Sequence, residues 1–124
     1  IHTRQPYLIY MLGFMPGFPY LGGVDERLHT PRRSEPRLKI EAGSVGIDNN
    51  QTGLYPMDSP GGWQIIGRTP LKVFDLNRTP MTMYEAGDYI QFYEIDRHEY
   101  NNISEEIENG KFDIDKWVKN KDEY

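Results

Sequence analysis

The sequence of 124 residues contains no cysteine, which excludes disulfide bonds, zinc–thiolate sites and thiol nucleophiles. Long hydrophobic runs are also missing: the apolar stretch 7–14 is much shorter than the ~18 residues of a membrane-spanning helix. No positively charged leader precedes an apolar segment at the start of the chain. We therefore expect an excised cytoplasmic fragment of a larger protein, with no membrane partner.

Turn-forming residues are abundant, with 12 Gly and 9 Pro. Together they exceed the ~12% of an average protein, which favours many turns over a helical bundle. The length is that of one domain, and short apolar runs between the turns predict a mainly β fold, a closed barrel or a sandwich. The predicted strands are 7–14, buried on both faces, and 44–47, 53–55, 63–67, 71–74 and 89–95.

The end of the chain has a different character from the rest. Residues 88–124 hold 5 Lys/Arg and 11 Asp/Glu, whereas the preceding residues are nearly neutral. Asp96 and Glu99 form a capping-box pattern, and Gly110 is a helix-stop signal. We thus predict a β domain over 1–95 and an acidic helical tail over 96–124 that packs on the barrel or on a partner. The apolar positions of this tail are Tyr100, Ile103 and Ile107, then Phe112, Ile114, Trp117 and Val118 in a second short piece.

Local motifs for catalysis or metal binding are not found. The stretch beginning at Asp48 resembles a calcium loop, but its twelfth position is Ser59, where a bidentate Glu is required. His2, His29 and His98 are too far apart to form a metal-binding pair on a helix. No phosphate-binding loop with its Lys and no nucleophile motif is present. We predict no metal site, and the catalytic residues stay unassigned.

A basic cluster is the first candidate site: Arg27, Arg32, Arg33, Arg37 and Lys39. Pro31 and Pro36 bracket the central arginines and restrict the backbone there. Arginine binds carboxylates and phosphates with two parallel hydrogen bonds. Two interpretations stay open, a solvated loop that pairs with nearby glutamates and a recognition site for a small anion. Nucleic acid is disfavoured, because the net charge is −5.

Two further segments combine aromatic and polar residues with glycine. The rigid Gly/Pro loop 13–20 and the segment 59–70 supply four aromatic rings, Phe14, Phe18, Tyr20 and Trp63. We predict that these rings form the wall of an apolar pocket, although they could equally close a barrel end. Gly61 and Gly62 allow close backbone approach or a positive φ angle. The neutral hydrogen-bonding groups in this region are Gln51, Tyr55 and Ser59.

Five segments in combination closely resemble the allophanate hydrolase subunit 1 family, also called the carboxyltransferase-domain C/D family. These segments are 13–20, 31–33 with 36–37, 42–47, 51–56 and 59–70. The resemblance extends over residues 2–95. It implies a cyclophilin-like closed β-barrel, preceded in family members by a smaller α/β domain. The chain departs from the family pattern at Ile40-Glu41 and at Asp48-Asn49-Asn50, which add polarity beside the predicted pocket.

Family members include component B of 5-oxoprolinase, the kinase inhibitor KipI and part of urea carboxylase. The resemblance implies a non-autonomous subunit of an ATP-dependent 5-oxoprolinase complex, which converts 5-oxoproline to L-glutamate. Component A and the homologous component C (allophanate hydrolase subunit 2) would be the partners and would handle ATP, with no cofactor bound by this chain. The predicted binding residues are Arg32, Arg33 and Arg37 for a carboxylate or phosphate, and Gln51, Tyr55, Ser59, Gly61 and Gly62 for the amide or carbonyl.

Two alternatives also follow from the resemblance. The chain could be a KipI-like inhibitor of a sensor histidine kinase, or part of a urea carboxylase or allophanate hydrolase. Prolyl isomerase activity would rest on the fold alone and is disfavoured.

Overall fold

The computed structural model describes residues 1–78, 81–111 and 117. This part of the chain is mainly β and ends in one α-helix, as predicted. The strands are β1 (Tyr7–Leu12), β2 (Pro19–Gly22), β3 (Arg37–Ile40), β4 (Ser44–Asp48), β5 (Gln51–Leu54), β6 (Ser59–Gly61), β7 (Gln64–Arg68) and β8 (Tyr89–Ile90), and the helix is α1 (Arg97–Glu108).

Six strands form an antiparallel sheet in the order β7-β4-β5-β2-β1-β8, and β3 pairs with β6 in a separate ladder. Strands β7 and β8 lie at the two edges of the large sheet. No ladder joins these edges within the described residues. Closure into a barrel therefore stays a prediction.

Two buried clusters form the core. The larger one packs against one face of the main sheet and includes Tyr7, Ile9, Leu21 and Ile47. The smaller one consists of Phe18, Ile40, Tyr55 and Trp63. Because Ile40 belongs to β3, this second cluster connects the small ladder to the main sheet.

Strand β1 corrects one prediction from the sequence. Tyr7 and Ile9 are buried, but Leu8 and Tyr10 are exposed, so only one face of this strand is covered. The strand also ends at Leu12 rather than at position 14. An apolar run is thus compatible with a half-exposed strand, because periodicity cannot tell which of two apolar faces is covered.

Other strand boundaries also differ from the predictions. The predicted strand 71–74 is reduced to a single bridge between Phe74 and Thr82, and 89–95 forms strand only at Tyr89–Ile90. Strands β2, β3 and β6 were not predicted. Two of these carry a proline, and their pairing depends on partners that are distant in sequence.

The predicted helix signals are confirmed. The Asp96 carboxylate accepts a hydrogen bond from the Glu99 backbone N–H at 2.8 Å, and Gly110 follows the helix with φ of 73°. Within α1, Ile103 is the buried residue. The predicted second helical piece lies outside the described residues except for Trp117, whose ring stacks on Tyr93 at 6.3 Å.

Candidate functional site

A surface depression of about 390 Å³ lies beside the proline-bracketed arginines. Residues 30 to 35 and Gln64 line it. Two of the three predicted anion-binding arginines, Arg32 and Arg33, are therefore on its surface. Arg37 is not among the lining residues.

The loop that forms the depression is fixed at three points. The Asn49 N–H donates to the Thr30 carbonyl at 2.7 Å, and the Arg33 N–H donates to the Gly62 carbonyl at 2.7 Å. The Gln64 side chain donates to the Pro31 carbonyl at 3.3 Å. Hydrogen bonds from three different parts of the sheet region thus hold the backbone of this loop in one arrangement.

Arg32 forms an ion pair with a buried carboxylate. Its Nε lies 3.3 Å from Asp48 Oδ2, and the Asp48 side chain is only 8% exposed, against 63% for Arg32. The same Oδ2 accepts a hydrogen bond from Gln51 at 3.2 Å, and Gln51 Oε1 accepts one from the Tyr10 hydroxyl. Asp48 stands out in the sequence only for its added polarity and is not among the predicted site residues, because its pairing with Arg32 depends on the fold.

The other two arginines have different surroundings. Arg33 Nε donates to the Glu35 carbonyl at 3.2 Å, and the residue is exposed. Arg37 lies in β3 opposite Gly61, and its Nε is buried with no hydrogen-bond partner in the described part of the chain. The three arginines therefore do not share one surface.

Tyr55, a member of the smaller core cluster, is completely buried. Its hydroxyl makes no hydrogen bond of ordinary geometry with any described residue. Burial raises the pKa of Tyr55, and the Trp63 backbone and the charge of Arg32 offset part of this rise.

The predicted pocket-wall residues form a cluster around Phe18. The Phe18 ring lies 5.0 Å from Tyr55, 5.1 Å from Tyr20 and 5.3 Å from Trp63, with Phe14 at 5.4 Å. Phe18 and Trp63 are buried in the core, whereas Phe14 is 64% exposed. Phe14 is thus the ring of this cluster that is most available to a ligand.

The remaining predicted residues are engaged locally. The Ser59 hydroxyl donates to the Pro60 carbonyl at 2.9 Å, and the Gly62 carbonyl is used by Arg33. In the described ranges, no three His, Asp or Glu side chains are grouped so that they could hold a metal ion. Nor does any described helix have the length and apolar character to cross a bilayer.

Comparison with known proteins identifies clear relatives. The family model described as carboxyltransferase domain, subdomain C and D, matches residues 1–84. The sequence is 52% identical over 106 residues to component B of the 5-oxoprolinase of Bacillus subtilis, a match that covers 86% of this chain and 44% of that protein. It is 35% identical over 83 residues to the urea amidolyase of Lachancea kluyveri, covering 63% of this chain and 4% of that protein.

A solved structure has a similar fold. The conserved uncharacterized protein of Pyrococcus horikoshii superposes with a TM-score of 0.77 at 54% identity, covering 81% of this chain and 46% of that one. Compared with its relatives, the present chain is short: it spans less than half the length of the Bacillus subtilis 5-oxoprolinase component that it matches.

Proposed function

The chain belongs to the carboxyltransferase domain family, subdomain C and D, and we propose that it is part of component B of a 5-oxoprolinase. This component would act in an ATP-dependent complex that opens 5-oxoproline to L-glutamate. The observation that supports this most directly is the 52% identity to a protein of that name. Because the match covers 44% of that protein, the activity of the whole complex is a proposal for this chain.

The residues that line the depression support this proposal. 5-Oxoproline carries one carboxylate and one ring amide. Arg32 and Arg33 line the depression, and arginine suits a carboxylate better than lysine does because its donors form a planar fork. Fixed positive charge would also stabilise the negative charge that develops when the amide carbonyl is attacked.

The other predicted binding residues would support this arginine rim. An inner layer of residues would shape the site and present the amide-binding groups. Its members would be Arg37, Gln51, Tyr55, Ser59, Gly61 and Gly62. Phe14 would contact the apolar part of the ligand, with Phe18, Tyr20 and Trp63 behind it.

Several properties of the whole protein belong to the same proposal. Component A and the homologous component C would bind ATP and complete the active complex, with no cofactor held by this chain. Residues 1–95 would close into a cyclophilin-like barrel, and the acidic tail 96–124 would pack on the barrel or on a partner. The complex would be cytoplasmic.

Reconstitution tests the proposal. The full-length protein that contains this sequence is mixed with components A and C, and ATP-dependent release of L-glutamate from 5-oxoproline is measured. We expect activity only when all three components are present. Release of glutamate by components A and C alone would contradict the proposal.

Arginine variants then test the site within the reconstituted complex. Arg32→Met and Arg33→Met should each lower kcat/KM about tenfold to hundredfold, since a charge-assisted hydrogen bond contributes ~1.5–3 kcal/mol. Lysine at the same positions should not restore activity. Arg27→Met is the matched control, because Arg27 pairs with Asp25 outside the depression. If both site variants stay within twofold of the control, the arginines do not bind the substrate.

A second candidate function is supported by the urea amidolyase match at 35% identity. Its test is consumption of ATP with urea and bicarbonate in place of 5-oxoproline, in the same reconstituted system. Inhibition of a sensor histidine kinase stays a prediction of the family resemblance, tested by adding the full-length protein to a kinase autophosphorylation assay.

A further inference from the structure

We propose that Asp48 is a positioning residue, which holds the Arg32 guanidinium in the orientation that binds the carboxylate of a small substrate. The inference rests on the proposed function, since it concerns the same depression. Asp48 is the last residue of β4 and is 6% exposed, so its carboxylate belongs to the rigid part of the fold. Its Oδ2 lies 3.3 Å from Arg32 Nε.

The carboxylate is itself held by its neighbours. Gln51, its partner in the β4–β5 ladder, donates to Oδ2 at 3.2 Å, and Asn49 donates to Oδ1 at 3.3 Å. The Tyr10 hydroxyl donates to the Gln51 side-chain oxygen and so fixes the orientation of that amide. Each Asp48 oxygen thus has a donor from the same β-hairpin, which leaves the carboxylate little freedom to turn.

This arrangement determines which part of Arg32 is available. The ion pair is made by the approach of Nε to Asp48, and the two terminal nitrogens donate no hydrogen bond among the described residues. Two adjacent terminal N–H groups match the two oxygens of a carboxylate. The Arg32 side chain is 63% exposed and lines the depression, so a ligand there can reach these groups.

Anchoring also lowers the cost of binding. A long exposed side chain that becomes fixed only when the ligand arrives loses conformational freedom on binding. The Asp48 pair would restrict the Arg32 side chain before the ligand binds. Arg33 lacks such a pair within the described residues, since its Nε donates to the Glu35 backbone carbonyl. Asp48 would therefore favour Arg32 over Arg33 as the main carboxylate contact.

A double-mutant cycle in the full-length protein tests the inference. Binding of L-5-oxoproline, and of acetate as the carboxylate alone, is measured by calorimetry for Arg32→Met, Asp48→Asn and the double variant. We expect Arg32→Met to weaken binding about tenfold to hundredfold, as for loss of one charge-assisted contact, and Asp48→Asn to weaken it about twofold to tenfold, as for loss of the anchoring alone. The double variant should be no weaker than Arg32→Met, because Asp48 acts only through Arg32. Glu41→Gln, which breaks the exposed pair between Glu41 and Arg68, is the control and should leave binding unchanged.

Three outcomes would overturn the inference. Unchanged binding in Asp48→Asn means that the carboxylate does not position Arg32. Losses that add in the double variant mean that Asp48 acts by another route. Unchanged binding in Arg32→Met removes the contact that Asp48 is proposed to orient. The proposed function has its own readout, glutamate release in the reconstituted complex, so its failure is recognised separately from failure of this cycle.

A measurement on the unmodified protein covers the case in which Asp48→Asn does not fold. The order parameter of the Arg32 Nε–H bond is measured by ¹⁵N relaxation and compared with that of Arg97, an exposed helix residue with no ion pair among the described residues. We expect a higher value for Arg32. Equal values would overturn the inference, because an anchored guanidinium must move less than a free one.

Discussion

The Tyr55 hydroxyl occupies the space in which a side chain at position 61 would begin. A Cβ atom built on Gly61 would lie 2.5 Å from this oxygen and 2.9 Å from Ile40 Cδ1. Neither distance is compatible with a real side chain, so residue 61 must be glycine while Tyr55 keeps its position. The reason for this glycine is close packing, the first of the two explanations that the Gly61-Gly62 pair allowed.

Replacing Tyr55 with Phe should leave the free energy of unfolding unchanged or raise it by up to about 1 kcal/mol. The hydroxyl is buried, and its contact with the Trp63 backbone falls short of a well-formed hydrogen bond, so its removal loses little and relieves a desolvation cost. Urea unfolding followed by fluorescence measures the change. The matched control is Tyr84→Phe, which removes a hydroxyl that donates to the Gly17 carbonyl at 2.7 Å and should cost ~1–3 kcal/mol. Equal losses in both variants would contradict the assignment of Tyr55 as unpartnered.

Gly53→Ala should destabilise the protein by ~1–3 kcal/mol, the usual cost of overpacking. A Cβ at this position would lie 2.8 Å from Trp63 and 2.9 Å from Phe18, both of which are buried in the aromatic cluster. Thermal unfolding monitored by circular dichroism measures the loss. Gly67→Ala is the control, because a Cβ there meets nothing within 4 Å, and it should change stability by less than ~0.5 kcal/mol. A similar effect of the two substitutions would show that the cluster is loosely packed.

Asp96→Ala should weaken α1 by about 1 kcal/mol, since it removes the side-chain bond to the Glu99 N–H. The readout is hydrogen exchange of the α1 amides, where this loss corresponds to roughly fivefold faster exchange. Asn101→Ala, at an exposed position inside the helix, should leave exchange unchanged or slower, because alanine is the better helix former. Unchanged exchange in Asp96→Ala would mean that tertiary contacts alone determine where the helix begins.

The helix was predictable because its signals are local. Asp96 and Gly110 act on residues within one turn, so their spacing in the sequence is sufficient. Strand β6, with the sequence Ser-Pro-Gly, has no strand-forming residue, and its pairing with β3 is decided by a partner about twenty positions earlier. Such a pairing cannot be read from either segment alone.

The residue types of the candidate site could be predicted from the sequence, but the positions of these residues relative to one another could not. The bracketing prolines indicated a restricted backbone at Arg32 and Arg33, and three hydrogen bonds hold that loop in place. Arg37 follows only four residues later, yet it belongs to a strand and has its Nε buried. Asp48 was missed for the opposite reason: it is distant from Arg32 in sequence and meets it only through the fold.

His2 connects the first residues of the chain to the main sheet. Its Nε2 lies 2.9 Å from Thr52 Oγ1, and its ring packs on Tyr7 and Phe92 at 5.0 and 4.9 Å. Because the Thr52 hydroxyl donates to the Gly46 carbonyl, the histidine must donate to Thr52. Burial lowers the pKa of His2 below its usual 6.5.

Stability should therefore fall as the pH drops below about 6.5. The unfolded chain binds a proton at its ordinary pKa, whereas the folded chain, with the lowered pKa, binds it only at more acidic pH. Protonation thus favours unfolding, with the full His2 contribution present above pH 6.5 and lost progressively below it. The melting temperature of the unchanged chain should decrease from about pH 7.5 to about pH 5.5, and His2→Phe, which keeps a ring against Tyr7, should show a smaller decrease. The Asp58 carboxyl, whose pKa the Ala42 N–H lowers below 3.8, titrates outside this range. Identical pH slopes for the two proteins would show that the half-buried His2 is not the titrating group.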